Sequence, residues 1–342
     1  MNRLFVILFL SALVGVVSVV QSADRITRVG EKRAIDCEIK RMTPDTITID
    51  RNGMEDTIPV GSIESVRFDG EPAEFNVART NLQNGENEDA RTLLTKVKED
   101  NLSRDLLKAE RNFLLAYTNA RIALTGGDVS LARAAAGLEQ FLKKYPKYFR
   151  VYEVELLLGD MNVQMNKYDD ALKHFGVLTK AKDSPILRAR GLLGGGQVLI
   201  AKKNGKEGEK VFNEVKNLVD EGELKAVEAE MQLKYQLGLA RCYALQGDFE
   251  KAVKTATTVI EKASAEDNVT NANAYNTLGV ALMMQPGKAK DAIIAFLHTD
   301  LMYSSDAVLH REALESMISL WRKLGNDVRA RELEARKQQL YQ

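Results

Sequence analysis

The apolar residues of this chain change their period near residue 72. Before it they alternate with polar ones. Ala34-Ile35-Asp36-Cys37-Glu38-Ile39 and Thr46-Ile47-Thr48-Ile49-Asp50 each put apolar side chains on one face, the pattern of a half-buried strand rich in β-branched residues. Thr43-Pro44-Asp45 separates these two runs as a turn. Asn52-Gly53 predicts a tight hairpin, because both residues tolerate positive φ. Asp56 to Val60 and Ile63 to Phe68 alternate again, and Asp69-Gly70-Glu71-Pro72 ends the stretch. Four or five short strands in residues 24–72 are too few for a large sheet and enough for a small barrel-like module.

From residue 73 onward the period is helical. The best-formed stretch is Tyr235 to Lys262, which predicts two antiparallel helices joined at Gln246-Gly247-Asp248. Small residues stand where the helices must touch, at Gly238, Ala240, Ala252 and Ala256. Larger ones fill the gaps, at Leu237, Leu239, Tyr243, Phe249, Val253 and Val259. The same grammar recurs on either side. Taking the small residue of each first helix as a marker, Ala78, Gly159, Gly196, Ala240 and Gly279 qualify, with Ile318 in the last slot and a further pair starting near Phe113 to Ala123. From Gly159 the gaps are 37, 44, 39 and 39 residues, periods that indicate a stack of helix pairs.

These residues resemble tetratricopeptide repeats. Leu158-Gly159 with Tyr168, Ala171 and Phe175 follows that family's pattern, as do Leu239-Ala240 with Tyr243, Gly247, Phe249 and Ala252, and Leu278-Gly279 with Ala292 and Phe296. Phe141-Leu142-Lys143-Lys144-Tyr145-Pro146 is a typical repeat ending. Spacing above the family's period of about 34 residues predicts longer helices or loops, and the pair around Gly196 fits least well. The expected fold is mainly α: a solenoid of about seven helix pairs over residues 73–342, about four-fifths of the chain. The preceding module resembles SH3-like or Sm-like small barrels in strand spacing alone. The terminal helix, Asp327 to Gln342, is rich in Arg, Glu, Lys and Gln and suits a solvated cap.

Residues 1–23 read as a secretory signal. Arg3 supplies the charge, Leu4 to Val20 is an apolar run, and Val20-Gln21-Ser22 supplies small residues for cleavage, with Ala23 the other possible end. The run is short for a membrane span, which needs about 20 residues. An uncleaved signal anchor is the alternative, and it would be the chain's one contact with a membrane. An exported protein of the periplasm or cell envelope of a bacterium is expected. With Arg3 removed, 47 basic side chains face 48 acidic ones. That balance argues against nucleic acid, whose binding needs clustered Lys and Arg to displace counterions. Two cysteines, Cys37 and Cys242, are too few for a disulfide framework and read as structural free thiols.

Candidate chemistry is sparse. His174, His298 and His310 stand at no metal-ligand spacing. Gly194-Gly195-Gly196 lacks the Gly-Lys-Ser/Thr ending of a phosphate loop and reads as helix flexibility or close packing. No Gly-x-Ser-x-Gly element exists. Asp169-Asp170 begins a helix, where carboxylates suit the dipole. Met283-Met284 and Met302 read as core packing, with an adaptable apolar patch as the alternative. Asn101-Leu102-Ser103 and Asn268-Val269-Thr270 are glycosylation sequons, meaningful only in a eukaryotic secretory route. No catalytic, cofactor or metal site is expected.

What remains is surface. The repeat pattern implies that first helices line a concave groove, with Gln197, Lys234, Arg241, Asn273 and Asn276 facing it. Such polar positions among apolar neighbours suit an extended peptide or a partner helix. Arg241→Glu is then expected to weaken binding and leave thermal stability unchanged. Departures from the repeat grammar, at Gly194 to Gly196, at the Gln285-Pro286-Gly287 turn and in the β module, are expected to carry specificity. The reading is a non-catalytic protein-binding scaffold that assembles envelope complexes. An accessory subunit of an envelope enzyme or secretion machine, or a structural envelope component, are the alternatives.

Overall fold

The structure, a computed structural model, describes residues 23–181 and 184–341. The leader expected at residues 1–23 lies outside the described residues apart from Ala23.

Five antiparallel strands open the fold: β1 (Asp24–Arg28), β2 (Ile35–Met42), β3 (Thr46–Arg51), β4 (Met54–Pro59) and β5 (Ile63–Arg67), in the order β4-β3-β2-β1-β5. The hairpin at Asn52-Gly53 forms as expected, with both residues at positive φ (55° and 85°) and the Gly53 N–H donating to Asp50 Oδ1 at 2.8 Å. Strand β1 shows no apolar alternation, because Ile26 is its one large buried side chain. Register shifts between Thr27 and Arg28 and between Ile39 and Arg41 are bulges, which bend a sheet. Strands β4 and β5 are the edges, joined by a 3-10 turn at Val60–Ser62.

Fourteen helices follow among the described residues, in seven antiparallel pairs. They are α1 (Ala73–Asn84) and α2 (Asn87–Lys96), α3 (Asp105–Leu124) and α4 (Leu131–Lys144), α5 (Val151–Gln164) and α6 (Tyr168–Leu178), α7 (Pro185–Ala201) and α8 (Gly205–Asp220), α9 (Glu228–Gln246) and α10 (Phe249–Lys262), α11 (Asn268–Met283) and α12 (Ala289–Met302), and α13 (Ala307–Lys323) and α14 (Asp327–Leu340). Local sequence sets their ends. Asn204, Asp248, Asp267 and Asn326 each accept a backbone N–H of the first turn as N-caps. Gly247 closes α9 in the left-handed region at φ 84°, as a C-terminal glycine does.

The pairs are stitched by one repeated contact. A large side chain stands sixteen residues after the marker at Leu94, Phe175 and Phe212, and seventeen after it at Phe296, where the turn is longer. Each is fully or almost fully buried. The Phe175 ring lies between Gly159 of α5 and Gly194 of α7; a Cβ on either would meet it at 2.4 Å. Phe212 lies between Gly196 of α7 and Gly238 of α9, where a Cβ would approach to 2.5 and 2.3 Å. The crowded glycines of α7 are therefore packing residues: one serves the ring behind and one the ring ahead. This bears out the close-packing reading of the run at Gly194 and Gly196. Asp169 and Asp170 lie in the first turn of α6 and pair with Lys202 and Lys173, each at 2.8 Å.

First helices pack on first helices along the stack, while each second helix packs on its own partner and on the next first helix. The β module is not a separate body. Its apolar face and α1 to α5 share one continuous core running from Ile26 and Ile58 through Phe75, Phe113 and Leu138 to Leu158. Met283 packs against the last core, whereas Met284 and Met302 are exposed, so core packing holds for one methionine of the three. Both cysteines are buried free thiols; burial pushes the Cys37 thiol up to about 11 and the Cys242 thiol up to about 12. Among the described residues no helix is long and apolar enough to cross a membrane.

Candidate interaction surface on the first-helix layer

Two positions of the helical register govern the polar chemistry of the first helices. One is the residue after the marker: Arg79, Asp160, Gln197, Arg241. The other lies six residues before it: Glu153, Arg190, Lys234, Asn273, Glu312. Where the first kind is an arginine, it bonds to first helices further along the stack: Arg79 to Glu110 of α3, and Arg241 to Asn273 of α11 and Glu312 of α13.

At the N-terminal end Arg79 of α1 does this. Its guanidinium donates to Glu110 Oε1 of α3 from Nε at 3.1 Å and Nη2 at 2.8 Å, and to both oxygens of Glu71 at 2.9 Å. Glu110 is completely buried. Its other oxygen accepts from the Tyr148 hydroxyl at 2.7 Å and lies 3.6 Å from Arg150 Nε. Arg150 in turn lies over the rings of Phe113 and Phe149, 4.8 Å from each. Burial alone would raise the Glu110 carboxyl; the Arg150 and Arg79 charges and the hydrogen bonds outweigh it and hold the group below the ordinary range. Arg104, the N-cap of α3, ties this end to the sheet with two bonds to buried Asp24 at 2.7 and 3.0 Å. The Tyr152 hydroxyl of α5 donates to Asp45 Oδ1 at 2.8 Å.

The C-terminal end is closed the same way. Arg241 of α9 makes a two-pronged pair with Glu312 of α13 at 2.9 and 3.1 Å, and donates to Thr277 at 3.0 Å and Asn273 at 3.2 Å on α11. Asn276 is fully buried; its amide donates to Leu309 O at 2.9 Å and Glu312 Oε2 at 3.1 Å and accepts from Thr299 at 2.8 Å. Desolvation works against the charged form of Glu312, but Arg241 and Asn276 outweigh it and hold the carboxyl below its usual value. Beyond it, His310 bridges Asp300 at 2.7 Å and Tyr341 at 2.5 Å, and Arg336 caps Asp300 at 2.8 Å, docking α14. Asp300 accepts, so His310 donates to it from Nε2.

The middle is open. Asp160 of α5 is exposed, and among the described residues no group donates to it or pairs with it. Arg190 of α7 occupies the facing register position, exposed, and forms no ion pair with Asp160. Gln197 is half-buried without a hydrogen bond among the described residues. Lys234 is exposed and pairs along its own helix with Glu230 at 2.5 Å. Desolvation with nothing to offset it pushes the Asp160 carboxyl up to about 6.

Of the five residues expected to face a groove, the structure therefore brings Arg241, Asn273 and Asn276 into one interior network and leaves Gln197 and Lys234 on the surface. Arg241 serves the fold, because it joins α9, α11 and α13. Asn276 is not accessible to a partner at all. Glu110, Glu312 and Asp160 went unnoticed in the sequence, yet two of them carry a signal there: Asp160 follows its marker as Arg241 follows Ala240, and Glu312 precedes Ile318 by six residues as Asn273 precedes Gly279.

Comparison with known proteins agrees with this architecture. Residues 235–264 match the model of a tetratricopeptide repeat. No curated protein matches the chain. Solved structures of similar fold include a tetratricopeptide repeat protein from Parabacteroides merdae (TM-score 0.54, 14% identity, 77% of this chain and 91% of that one). The apo form of RapI is similar at TM-score 0.60 and 14% identity over 78% of this chain and 95% of that one. A Rap protein complexed with competence and sporulation factor is similar at TM-score 0.57 and 14% identity, covering 77% and 74%. The chain thus carries a tetratricopeptide repeat at residues 235–264 within a solenoid of tetratricopeptide-repeat fold, preceded by a five-stranded antiparallel sheet.

Proposed function

We propose that this protein is an exported, non-catalytic scaffold of the bacterial envelope that binds protein partners along its first-helix face. The carrying observation is the contrast along that face. Arg79 and Arg241 are each consumed by carboxylates of the same chain, whereas Asp160, Arg190 and Gln197, which lie between them, have no side-chain partner among the described residues. Asp160 lies on that face exposed and without an ion pair among the described residues. A Rap protein of similar fold is complexed with competence and sporulation factor, which supports a binding role for this architecture. The sheet extends the scaffold without a hinge, because Asp24–Arg104 and the shared core fix it to the helices. The balanced charge of the chain fits protein rather than nucleic acid.

Crosslinking in intact cells followed by partner identification tests this reading. A stoichiometric envelope protein is the expected product, and N-terminal sequencing is expected to begin at Ala23 or Asp24. Turnover of a substrate by the purified chain, or retention of an uncleaved chain in the cytoplasm, contradicts it.

A further inference from the structure

We propose that a second copy of this chain docks on the outer face of α12, helix against helix and antiparallel, around a two-fold axis at His298. The pairing does not depend on the first-helix surface, because α12 belongs to the second-helix layer.

The outer face of α12 departs from its neighbours. Other second helices turn charge to solvent, with Asp170 and Lys173 on α6, Lys206 and Lys210 on α8, and Lys251 and Lys254 on α10 all exposed. The solvent side of α12 carries Ile294, Leu301 and Met302 instead, exposed by 56%, 72% and 63%. With His298 among them they follow the spacing i, i+4, i+7, i+8, one stripe of a helix. An exposed apolar stripe of this kind marks an interaction site. Its centre is held in place. The His298 ring stacks on Tyr275 of α11, with centroids 4.3 Å apart and planes 4° from parallel, and its Nδ1 lies 2.9 Å from Ile294 O.

The stripe is complementary to itself when reversed. An antiparallel copy centred on His298 sets Ile294 of one copy against Leu301 and Met302 of the other, and the symmetry repeats that contact. The ends match in charge. The N-terminal end bears Lys288, Lys290 and Asp291. Asp291 pairs with Lys288 at 2.8 Å, and exposed Lys290 has no ion pair among the described residues. The C-terminal end runs into Asp306, whose Oδ1 accepts the Val308 and Leu309 N–H groups at 3.0 Å and which has no cation partner among the described residues. Reversal brings the unpaired lysine of each copy to the carboxyl end of the other, where the helix dipole and Asp306 both favour a cation. A parallel pairing would set Lys290 against Lys290 and lose this match. One helix face is a small interface, under about 1,200 Å² in total, so the dimer is a weak one.

Sedimentation equilibrium of the full mature chain over a wide concentration range reads the association. A monomer–dimer equilibrium is expected. Leu301→Glu or Ile294→Glu is expected to raise its dissociation constant by about tenfold or more, because the two-fold counts each lost contact twice. Both side chains are exposed, so their melting temperatures are expected to stay at the native value, and either variant suffices should the other not fold. Lys290→Glu is expected to weaken the dimer at low salt and to lose that effect at high salt. Disulfide trapping reads the register. His298→Cys is expected to cross-link to its own copy on mild oxidation, whereas Ile294→Cys and Met302→Cys cross-link when mixed and not alone. Cys37 and Cys242 are buried and do not compete. A monomer at every concentration, a dimer indifferent to both glutamate variants, or Ile294→Cys cross-linking to itself would overturn the proposal. So would a monomeric chain that binds a different protein or lipid vesicles through this stripe.

Discussion

Glu110 and Asp160 are both carboxylates in the first-helix layer, and the protein treats them in opposite ways. Glu110 has no exposed surface and three groups around it, Arg79, Arg150 and the Tyr148 hydroxyl; Asp160 is exposed and has none among the described residues. Burial acts against the charge of each. Arg79 and Arg150 reverse that effect at Glu110, and nothing reverses it at Asp160. The difference teaches where the charges of a repeat array are spent on the array and where they are left for something else.

The largest expected break in this comparison is Glu110→Ala. It leaves Arg79, Arg150 and the Tyr148 hydroxyl buried around an empty acceptor site, and removing one partner of a buried charged group costs about 3–5 kcal/mol. Urea unfolding of the full chain measures it; a loss below about 1 kcal/mol would show that the arginines find other partners. Arg241→Glu is expected next. It sets a second carboxylate against Glu312 and strips Thr277 and Asn273 of their donor, for a loss of about 2–4 kcal/mol. The sequence alone suggested a variant of unchanged stability, so thermal melting of this one substitution decides between a groove residue and a clamp.

Gly238→Ala tests the repeated ring contact. Its Cβ would lie 2.3 Å from the Phe212 ring, and overpacking of that kind costs about 1–3 kcal/mol. Gly137→Ala, with nothing within 4 Å of the added Cβ, is expected to leave the melting temperature unchanged or raise it. Acid sharpens the contrast further. The carboxyls of Asp24, Glu110 and Glu312 titrate below their unfolded values. Their contribution is fully present above the ordinary carboxylate range and is lost as pH falls below it, through their lower folded values. Asp160 titrates at about 6, above its unfolded value, so its own contribution moves the other way and favours the folded state as pH falls from about 6 towards 4. Asp160→Asn is expected to remove that small gain on acidification and to change stability at pH 7 by less than about 1 kcal/mol.

The repeat architecture was legible because its signals are local: apolar periodicity, glycine at turns, and a small marker residue recurring in the first helices. Strand β1 was not, because one buried isoleucine makes no pattern. The polar clamps were half legible. Arg241, Asn273 and Asn276 stand out as polar residues among apolar ones, but whether they face a partner or each other depends on Glu312, which lies 71 residues from Arg241. The fusion of sheet and solenoid rests on Asp24 and Arg104, 80 residues apart, and no short-range pattern announces such a pair. Gly194 and Gly196 looked like a departure from the repeat. They are the repeat's packing rule applied twice in one helix.

Site-specific photocrosslinking in living cells tests the central claim most directly. A photoreactive residue is placed at Gln197 in the open middle, at Leu301 on the outer face of α12, or at Met54 on the sheet edge; the last two are each 72% exposed. The account predicts that Gln197 captures a discrete protein partner while Leu301 captures at most a second copy of the chain and Met54 captures little. Capture of a different protein through Leu301 or Met54 with none through Gln197 would contradict it.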